Sequence, residues 1–191
     1  ESIGNLRQLR RFIANINLLN GTLPNSIGQL SELQQINIAT NLIEGTLPAS
    51  IGNWTKVQKV YAQTNMILGS IPSTVGSMRQ LEVLSLQTNK LIGTIPPSLC
   101  NITTLAALRL YVNALTGPIP ACMALNYNFT VLVVYQNQLT GPLPSVWAAQ
   151  SKMNYFDVND NQLTGTIPAT FGTLAKLGSL YLGTNLFHGP V

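Results

Sequence analysis

The chain has 191 residues, of which 46% are hydrophobic and only 8% are charged, and its formal net charge is +4. Soluble domains carry about 25% charged residues, so groups other than charge must keep this surface soluble. The ten Lys and Arg residues stand singly apart from Arg10 and Arg11, with no basic stripe interleaved with aromatic residues. Nucleic acid is therefore not expected as a partner. No apolar run approaches the roughly 20 residues of a membrane-spanning helix, so this segment is not expected to contact a membrane.

A unit of 24 residues repeats along the chain without insertion. An asparagine recurs at this interval, with a glycine four residues after it and, wherever the chain continues far enough, a proline seven residues after it. Positions below are counted from this asparagine, so that the glycine lies at +4 and the proline at +7. The asparagines are Asn17, Asn41, Asn65, Asn89, Asn113, Asn137, Asn161 and Asn185. Self-similarity at such a period is typical of a solenoid, in which each repeat packs on its neighbours.

A short strand comes first in each unit. Apolar residues lie at positions −8, −5 and −3, as in Leu81, Leu84 and Leu86 before Asn89. Two apolar residues spaced by two indicate a strand, which stacking would pair with the strands of adjacent units in a parallel sheet. The asparagine is predicted to face inward and to bind backbone groups of its own turn and of the next unit, forming a ladder. The glycine is predicted to allow a bend, and the proline to direct the chain into a convex segment.

The resulting template, L-x-x-L-x-L-x-x-N-x-L-x-G-x-I-P-x-x-L-G, resembles the plant-specific leucine-rich repeats of receptor-kinase ectodomains and polygalacturonase-inhibiting proteins. The resemblance covers the whole chain and is closest at residues 91–96 (LIGTIP) and 163–168 (LTGTIP). It implies an α/β solenoid over residues 1–191: a right-handed superhelix of eight 24-residue repeats with a concave parallel sheet, short second strands and 3-10 or irregular convex segments. It also implies ligand capture on the inner face. The family's ectodomains carry cysteine-paired caps, and this sequence has neither, so we expect a segment of a longer chain or array.

The outward-facing positions of the predicted strand are −6, −4, −2 and −1. Five of the six tyrosines fall there, together with several charged residues. The candidate ligand-binding residues on this concave face are Tyr61, Tyr111, Tyr135, Tyr155, Tyr181, Lys59, Arg109 and Asp157. Tyrosine offers a large amphipathic contact area and is favoured at interfaces. The alternative is that tyrosine is simply a good strand residue on an exposed sheet.

The residues of an enzyme site are missing from the sequence. His188, the only histidine, has no Cys or Ser placed as its nucleophile, so it is expected to be a surface residue. Residues 157–161 (DVNDN) are similar to a cation-binding loop, but their spacing is wrong for an EF-hand and they are predicted to lie on a strand. A solvated acidic edge is the expected alternative. No metal cluster, phosphate loop or catalytic acid pair stands out, so we expect a non-enzymatic protein without metal or cofactor.

Two cysteines, Cys100 and Cys122, are 22 residues apart, nearly one repeat, which places them close together on adjacent coils. Neighbouring strands lie about 4.7–4.9 Å apart, and the Cα atoms of a disulfide about 4.4–6.8 Å apart. The sequence around both cysteines also resembles a paired-cysteine variant of plant repeats. A disulfide is therefore expected, with two buried thiols as the alternative.

Four Asn-x-Ser/Thr sequons occur outside the predicted concave strand, at Asn20, Asn53, Asn101 and Asn128. Asn53 and Asn101 share the same repeat position. Glycans at these sites would leave the sheet free and would explain how so uncharged a surface stays soluble. The sequons and the cysteine pair predict an extracellular or cell-surface protein that follows the secretory pathway.

Three functions remain open from the sequence. The first is a recognition module that binds a protein, a peptide or a cell-wall saccharide on its concave face. The second is a repeat segment of a glycosylated fibre that self-associates end to end, since 191 residues is one short of eight repeats of 24 and the phase of Val191 nearly continues into Glu1. A weaker third is ice binding, suggested by Thr40, Thr64, Thr88 and Thr184 at position −1, although Val112, Gln136 and Asp160 interrupt that row.

Overall fold

The computed structural model describes residues 2–147 and 152–190. Over these residues the chain winds into a solenoid in which successive 24-residue coils stack on one another. In chain order its strands are β1 (Arg11–Ile13), β2 (Asn20–Thr22), β3 (Gln35–Asn37), β4 (Leu42–Glu44), β5 (Lys59–Tyr61), β6 (Leu68–Gly69), β7 (Val83–Ser85), β8 (Lys90–Thr94), β9 (Ala107–Arg109), β10 (Ala114–Gly117), β11 (Val131–Val133), β12 (Gln138–Pro142), β13 (Tyr155–Asp157), β14 (Gln162–Gly165), β15 (Ser179–Tyr181) and β16 (Leu186–Phe187).

The odd-numbered strands form one parallel sheet in the order β1-β3-β5-β7-β9-β11-β13-β15, which is the concave sheet of the solenoid. Its register advances by one whole repeat at each step, so Tyr155 pairs with Val131 on one side and Ser179 on the other. Residues at one repeat position therefore form a row across the sheet. The predicted parallel concave sheet is confirmed.

The even-numbered strands form a second parallel surface, with β16-β14-β12-β10-β8-β6 in one sheet and β2-β4 in another. A single bridge from Thr46 to Leu68 connects the two. The convex side carries 3-10 helices, each of which begins after the +7 proline where that proline is present. These helices are Ser2–Asn5, Asn25–Gln29, Ala49–Asn53, Ser73–Ser77, Pro97–Asn101, Ala121–Leu125 and Ala169–Thr173. The predicted second strands and 3-10 segments are both present.

The core is a continuous apolar column between the sheets and the convex helices. Leu81, Leu84 and Leu86, at positions −8, −5 and −3, are all 2% exposed or less. Larger side chains occupy the same column toward the end of the chain, where Trp147 and Phe156 pack edge to face with ring centroids 5.3 Å apart. Each coil thus buries its apolar edge against its neighbours, as the repeat predicts.

The asparagine ladder joins each coil to the preceding one. Asn89 Oδ1 accepts the N–H of Ile67 at 3.0 Å, and its Nδ2 donates to the carbonyl oxygens of Ala62 and Leu86, both at 3.0 Å. The same bonds recur at each asparagine from Asn41 to Asn185. The prediction of an inward-facing, hydrogen-bonded ladder is confirmed, but its direction was wrong: the asparagine binds its own turn and the preceding coil, not the next one.

The strands are shorter than the sequence predicts. They end at position −4, and the residue at −1 has a left-handed backbone with φ between 48° and 56° in each described coil. Asp157 is accordingly the last residue of β13, and Asn159 and Asp160 lie beyond the strand. The expectation that residues 157–161 lie on a strand was therefore wrong except for Asp157. The chain must reverse its curvature to bring the asparagine amide inward, and this reversal ends the strand. The glycine bend at +4 is present as predicted, with positive φ at Gly93 and its equivalents.

Cys100 and Cys122 form the predicted disulfide, with Cα atoms 5.8 Å apart. In the four preceding coils a glycine occupies the position of Cys100 (Gly4, Gly28, Gly52 and Gly76). It packs so closely on the next coil that a Cβ on Gly28 would lie 2.4 Å from the carbonyl oxygen of Ser50. Cys122 occupies the position that Ser50 has in that contact. The bridge therefore replaces a glycine contact between convex helices with a covalent link.

Candidate ligand-binding face

The middle of the concave sheet holds a depression with a volume of about 460 Å³. Val131 and Val133 of β11 form its apolar floor, and Arg109 of β9 lies beside them. Its lining consists of Arg109, Tyr111, Val131, Val133, Tyr135, Asn154 and Tyr155. An apolar floor with a few polar groups at its rim is typical of a binding site.

Tyr111 and Tyr135 form one wall of this depression. Their rings are stacked, with centroids 4.5 Å apart and planes 10° from parallel. This separation is close to the spacing of adjacent strands, about 4.7–4.9 Å, because the two residues occupy the same position in successive coils. The inner faces of the rings contact each other, so a ligand lying across the sheet meets ring edges and hydroxyl groups. Stacking orders both side chains before a ligand arrives, which lowers the entropic cost of binding.

Tyr155 and Tyr181 form a second aromatic pair next to Asp157 on the concave sheet. Their ring centroids are 5.5 Å apart and the planes are tilted by 44°. Asp157 pairs with Tyr181 across the sheet and follows Tyr155 by two residues on β13, so its side chain is on the same face as both. Asp157 is only 6% exposed. Its Oδ1 accepts the N–H of Asn159 at 3.1 Å.

Burial sets the protonation of this cluster. It raises the pKa of Asp157 above its ordinary value; the nearby Asp160 adds to this rise, and the Asn159 N–H partly opposes it. Burial is also the main cause that raises the pKa of Tyr135 and the pKa of Tyr155. The charge of Asp157 raises both pKa values further, and Tyr111 adds to the rise at Tyr135. Both phenols therefore remain protonated at neutral pH and can donate hydrogen bonds.

Charge changes sign along the concave sheet. Lys59 lies on β5, Arg109 on β9 and Asp157 on β13, each two strands, or about 10 Å, from the next. The described residues form one salt bridge, between Lys56 and Glu32. Within the described part of the chain, Lys59, Arg109 and Asp157 therefore have no ionic partner. Their charges are available to a ligand.

The structure gathers most of the candidate residues of the sequence into one region. Arg109, Tyr111, Tyr135 and Tyr155 line the depression, and Asp157 and Tyr181 adjoin it. Lys59 and Tyr61 lie on β5, two strands before Arg109. Val131, Val133 and Asn154 were not identified from the sequence. The two valines occupy outward positions −6 and −4, so position could have found them, but an apolar residue there carries no chemical signal of binding.

The four sequon asparagines are all exposed. Asn53 and Asn101 each end a 3-10 helix on the convex side, and Asn20 begins β2 of the second sheet. Asn128 differs from them, since its Nδ2 donates to the Thr103 carbonyl oxygen at 3.1 Å and its Oδ1 accepts a bond from Lys152 Nζ at 2.9 Å. All four lie away from the concave sheet.

Parallel sheets, convex 3-10 helices and an asparagine ladder with a 24-residue period define a leucine-rich-repeat solenoid. The family model for the leucine-rich-repeat domain of the EGF-like domain-containing protein ComC matches residues 3–108. The Leucine Rich Repeat model matches residues 152–174. The chain therefore belongs to the leucine-rich-repeat family, and its repeat is of the plant extracellular type. Among curated proteins, none matches the chain at a significant level of sequence similarity.

Solved structures similar to the chain include two plant receptor-kinase ectodomains. The HAESA ectodomain from Arabidopsis, in complex with an N-terminally extended IDA peptide hormone, is 35% identical with a TM-score of 0.93; the match covers 99% of this chain and 32% of that ectodomain. GASSHO1/SCHENGEN3 from Arabidopsis thaliana, in complex with CASPARIAN STRIP INTEGRITY FACTOR 2, is 33% identical with a TM-score of 0.92, covering 97% of this chain and 22% of that one. The chain thus spans about a third or less of the length of these two ectodomains.

A plant ice-binding protein shares the fold at 23% identity, with a TM-score of 0.74 and coverage of 98% of this chain and 68% of its own. At that identity the likeness concerns the fold alone. Across the described residues, no helix has the length and hydropathy needed to span a membrane.

Proposed function

We propose that this chain is the ligand-binding segment of an extracellular, non-enzymatic leucine-rich-repeat recognition module, and that its concave face binds an extended peptide or a peptide-like segment of a protein. The observation that carries the proposal is the depression between the stacked Tyr111–Tyr135 pair and Tyr155 over the apolar floor of β11. Ordered aromatic side chains around a partly desolvated floor are typical of the residues that dominate binding energy.

An extended peptide fits the shape and charge of this face. The candidate residues from Lys59 on β5 to Asp157 on β13 span four strand spacings, or about 19 Å. At about 3.3 Å per residue, an extended chain of about six residues covers that length. The similarity to ectodomains whose structures contain peptide hormones supports a peptide over a saccharide.

A double substitution tests the proposal. Tyr111→Ala together with Tyr135→Ala removes the stacked wall of the depression. The hydrophobic core should stay intact, because neither tyrosine is part of it. Peptides selected on the wild-type protein from a random library should bind the double variant at least tenfold more weakly, because truncation of such aromatic anchors costs about 2 kcal/mol or more.

Tyr127→Ala is the matched control. Tyr127 is 59% exposed and lies in the turn after the convex helix Ala121–Leu125. The control should leave affinity unchanged. Equal affinity of the wild type and the double variant for every selected peptide would contradict the proposal.

A further inference from the structure

We infer that Asp157, with the rings of Tyr155 and Tyr181, forms a subsite for a cationic side chain, the ammonium of a lysine or the guanidinium of an arginine in a peptide ligand. The inference rests on the proposed function and names the ligand chemistry of one part of the same face. Its support comes from the burial of the carboxylate, from a neutral equivalent elsewhere in the chain and from the aromatic surroundings.

The carboxylate is buried without a countercharge. Asp157 is 6% exposed, and within the described residues no cation forms a salt bridge with it. Taking an ionised carboxylate out of water costs several kcal/mol unless it is paired. The raised pKa of Asp157 has this burial as its first cause. The unliganded protein therefore carries an energetic cost that a cation from a ligand would relieve.

The fold does not require this charge. Asn37 occupies the same repeat position on β3, and its Oδ1 accepts the N–H of Ala39 at 3.2 Å. Asp157 Oδ1 accepts the N–H of Asn159 at 3.1 Å in the same way. A neutral amide thus makes the same hydrogen bond to the backbone at this repeat position in the same molecule. The negative charge at Asp157 needs a different explanation, and a ligand provides one.

The surroundings favour an organic cation. The rings of Tyr155 and Tyr181, with centroids 5.5 Å apart, stand at positions adjoining Asp157 on the same face of the sheet. The faces of aromatic rings attract ammonium and guanidinium groups. The described residues contain no group of three or more side chains that could hold a metal ion. A carboxylate beside a pair of aromatic rings matches a lysine or arginine side chain.

The subsite also fixes where that residue lies in the ligand. Asp157 pairs with Val133, the floor of the depression, on the adjacent strand. A strand spacing of about 4.8 Å corresponds to about one and a half residues of an extended peptide, so the cation lies about one or two residues from the side chain that fills the depression. The ligand should therefore carry a basic residue at a constant distance from an apolar or aromatic one.

Selection from a phage library of short random peptides tests this inference. The targets are the wild type, Asp157→Asn and, as matched control, Asp160→Asn, which removes the same charge from an exposed residue beyond the strand. Asn37 indicates that Asp157→Asn folds, which thermal unfolding would verify. Peptides from the wild type and the control should share a Lys or Arg at one position, and they should bind Asp157→Asn at least tenfold more weakly.

The outcomes separate the two claims. Peptides that require Tyr111 and Tyr135 but lack a shared basic residue, or bind Asp157→Asn as well as the wild type, would overturn the cationic subsite and leave the proposed function standing. Peptides that bind regardless of Tyr111 and Tyr135, or a library without any binder, would contradict the proposed function and the subsite together.

Discussion

Single asparagines hold consecutive coils together. From Asn41 onward, each ladder amide satisfies an N–H of the preceding coil and carbonyl oxygens of both coils, as Asn89 does for Ile67, Ala62 and Leu86. A buried backbone group that loses its partner costs about 1–3 kcal/mol. The sequence could predict this role because the spacing is invariant and the amide can both donate and accept.

Asn89→Ala should lower the free energy of unfolding by about 3 kcal/mol, because it leaves an N–H and at least one carbonyl oxygen without a partner. Asn17→Ala is the matched control, since Asn17 is exposed and its amide nitrogen donates only to Ala14 and Asn15 in its own coil. The control should cost less than about 1 kcal/mol. Urea denaturation measures both values. Similar losses for the two variants would refute the account of the ladder as a link between coils.

The charge of Asp157 should make stability depend on pH. Its folded-state pKa is raised above the ordinary 3.8, so between the unfolded and folded pKa values the native state keeps a proton that the unfolded state loses. Stability therefore falls as pH rises through that window and levels off above it.

Asp157→Asn lacks this titration while keeping the acceptor for Asn159. Its free energy of unfolding relative to the wild type should increase as pH rises above the ordinary carboxyl value and then become constant. Urea unfolding at pH values from about 3 to about 8 tests this. A difference between variant and wild type that stays constant over the whole range would show that burial of this carboxylate has no energetic consequence.

The burial of Asp157 illustrates what the sequence could not supply. Its outward position follows from the period of the strand, but its 6% exposure depends on Val133 and Tyr181, which are 24 residues away in either direction. A repeat period predicts which face a residue occupies. It does not predict how far the side chains of neighbouring coils cover it.

Among the elements, the strands and convex helices follow from the repeat, whereas their ends do not. Thr64 precedes Asn65 and has a left-handed backbone with φ of 56°. β-branched residues adopt this conformation rarely, so neither propensity nor hydrophobic pattern could have placed the end of the strand there. The hydrogen bonds of the inward-facing asparagine amide stabilise this backbone conformation against the preference of threonine for negative φ.

The convex helices carry the disulfide and two of the four sequons, those at Asn53 and Asn101. The disulfide links the helices Pro97–Asn101 and Ala121–Leu125, and a bridge that closes a loop of this size stabilises a fold by about 3 kcal/mol. Its feasibility was predictable because the coil spacing matches disulfide geometry.

We expect N-glycans at Asn53 and Asn101, because each side chain is exposed at the end of a convex helix, away from the concave sheet. Asn128 should carry less glycan than these two, since both ends of its amide are hydrogen-bonded. Mass spectrometry of peptides from protein of the native source, with and without enzymatic deglycosylation, measures the occupancy of each site. Unmodified Asn53 and Asn101 in such material would contradict the prediction that the protein follows the secretory pathway.

At the scale of the whole molecule, the exact repeat converts sequence positions into rows on a surface. The concave sheet therefore shows charged residues in a linear order, from Lys59 through Arg109 to Asp157. The stacked Tyr111 and Tyr135 lie just beyond the ends of β9 and β11 in that order. An extended ligand that lies along the sheet can contact these residues in the same order. Ice binding and end-to-end stacking, the two alternatives raised by the sequence, remain predictions.

The most direct test of the central claim is a crystal structure of the protein with a peptide selected on the wild type. The peptide is predicted to lie across β9, β11 and β13 in an extended conformation, in contact with Tyr111, Tyr135 and Val133. A peptide bound only to the convex helices or to the second sheet would contradict the assignment of the concave face as the binding surface.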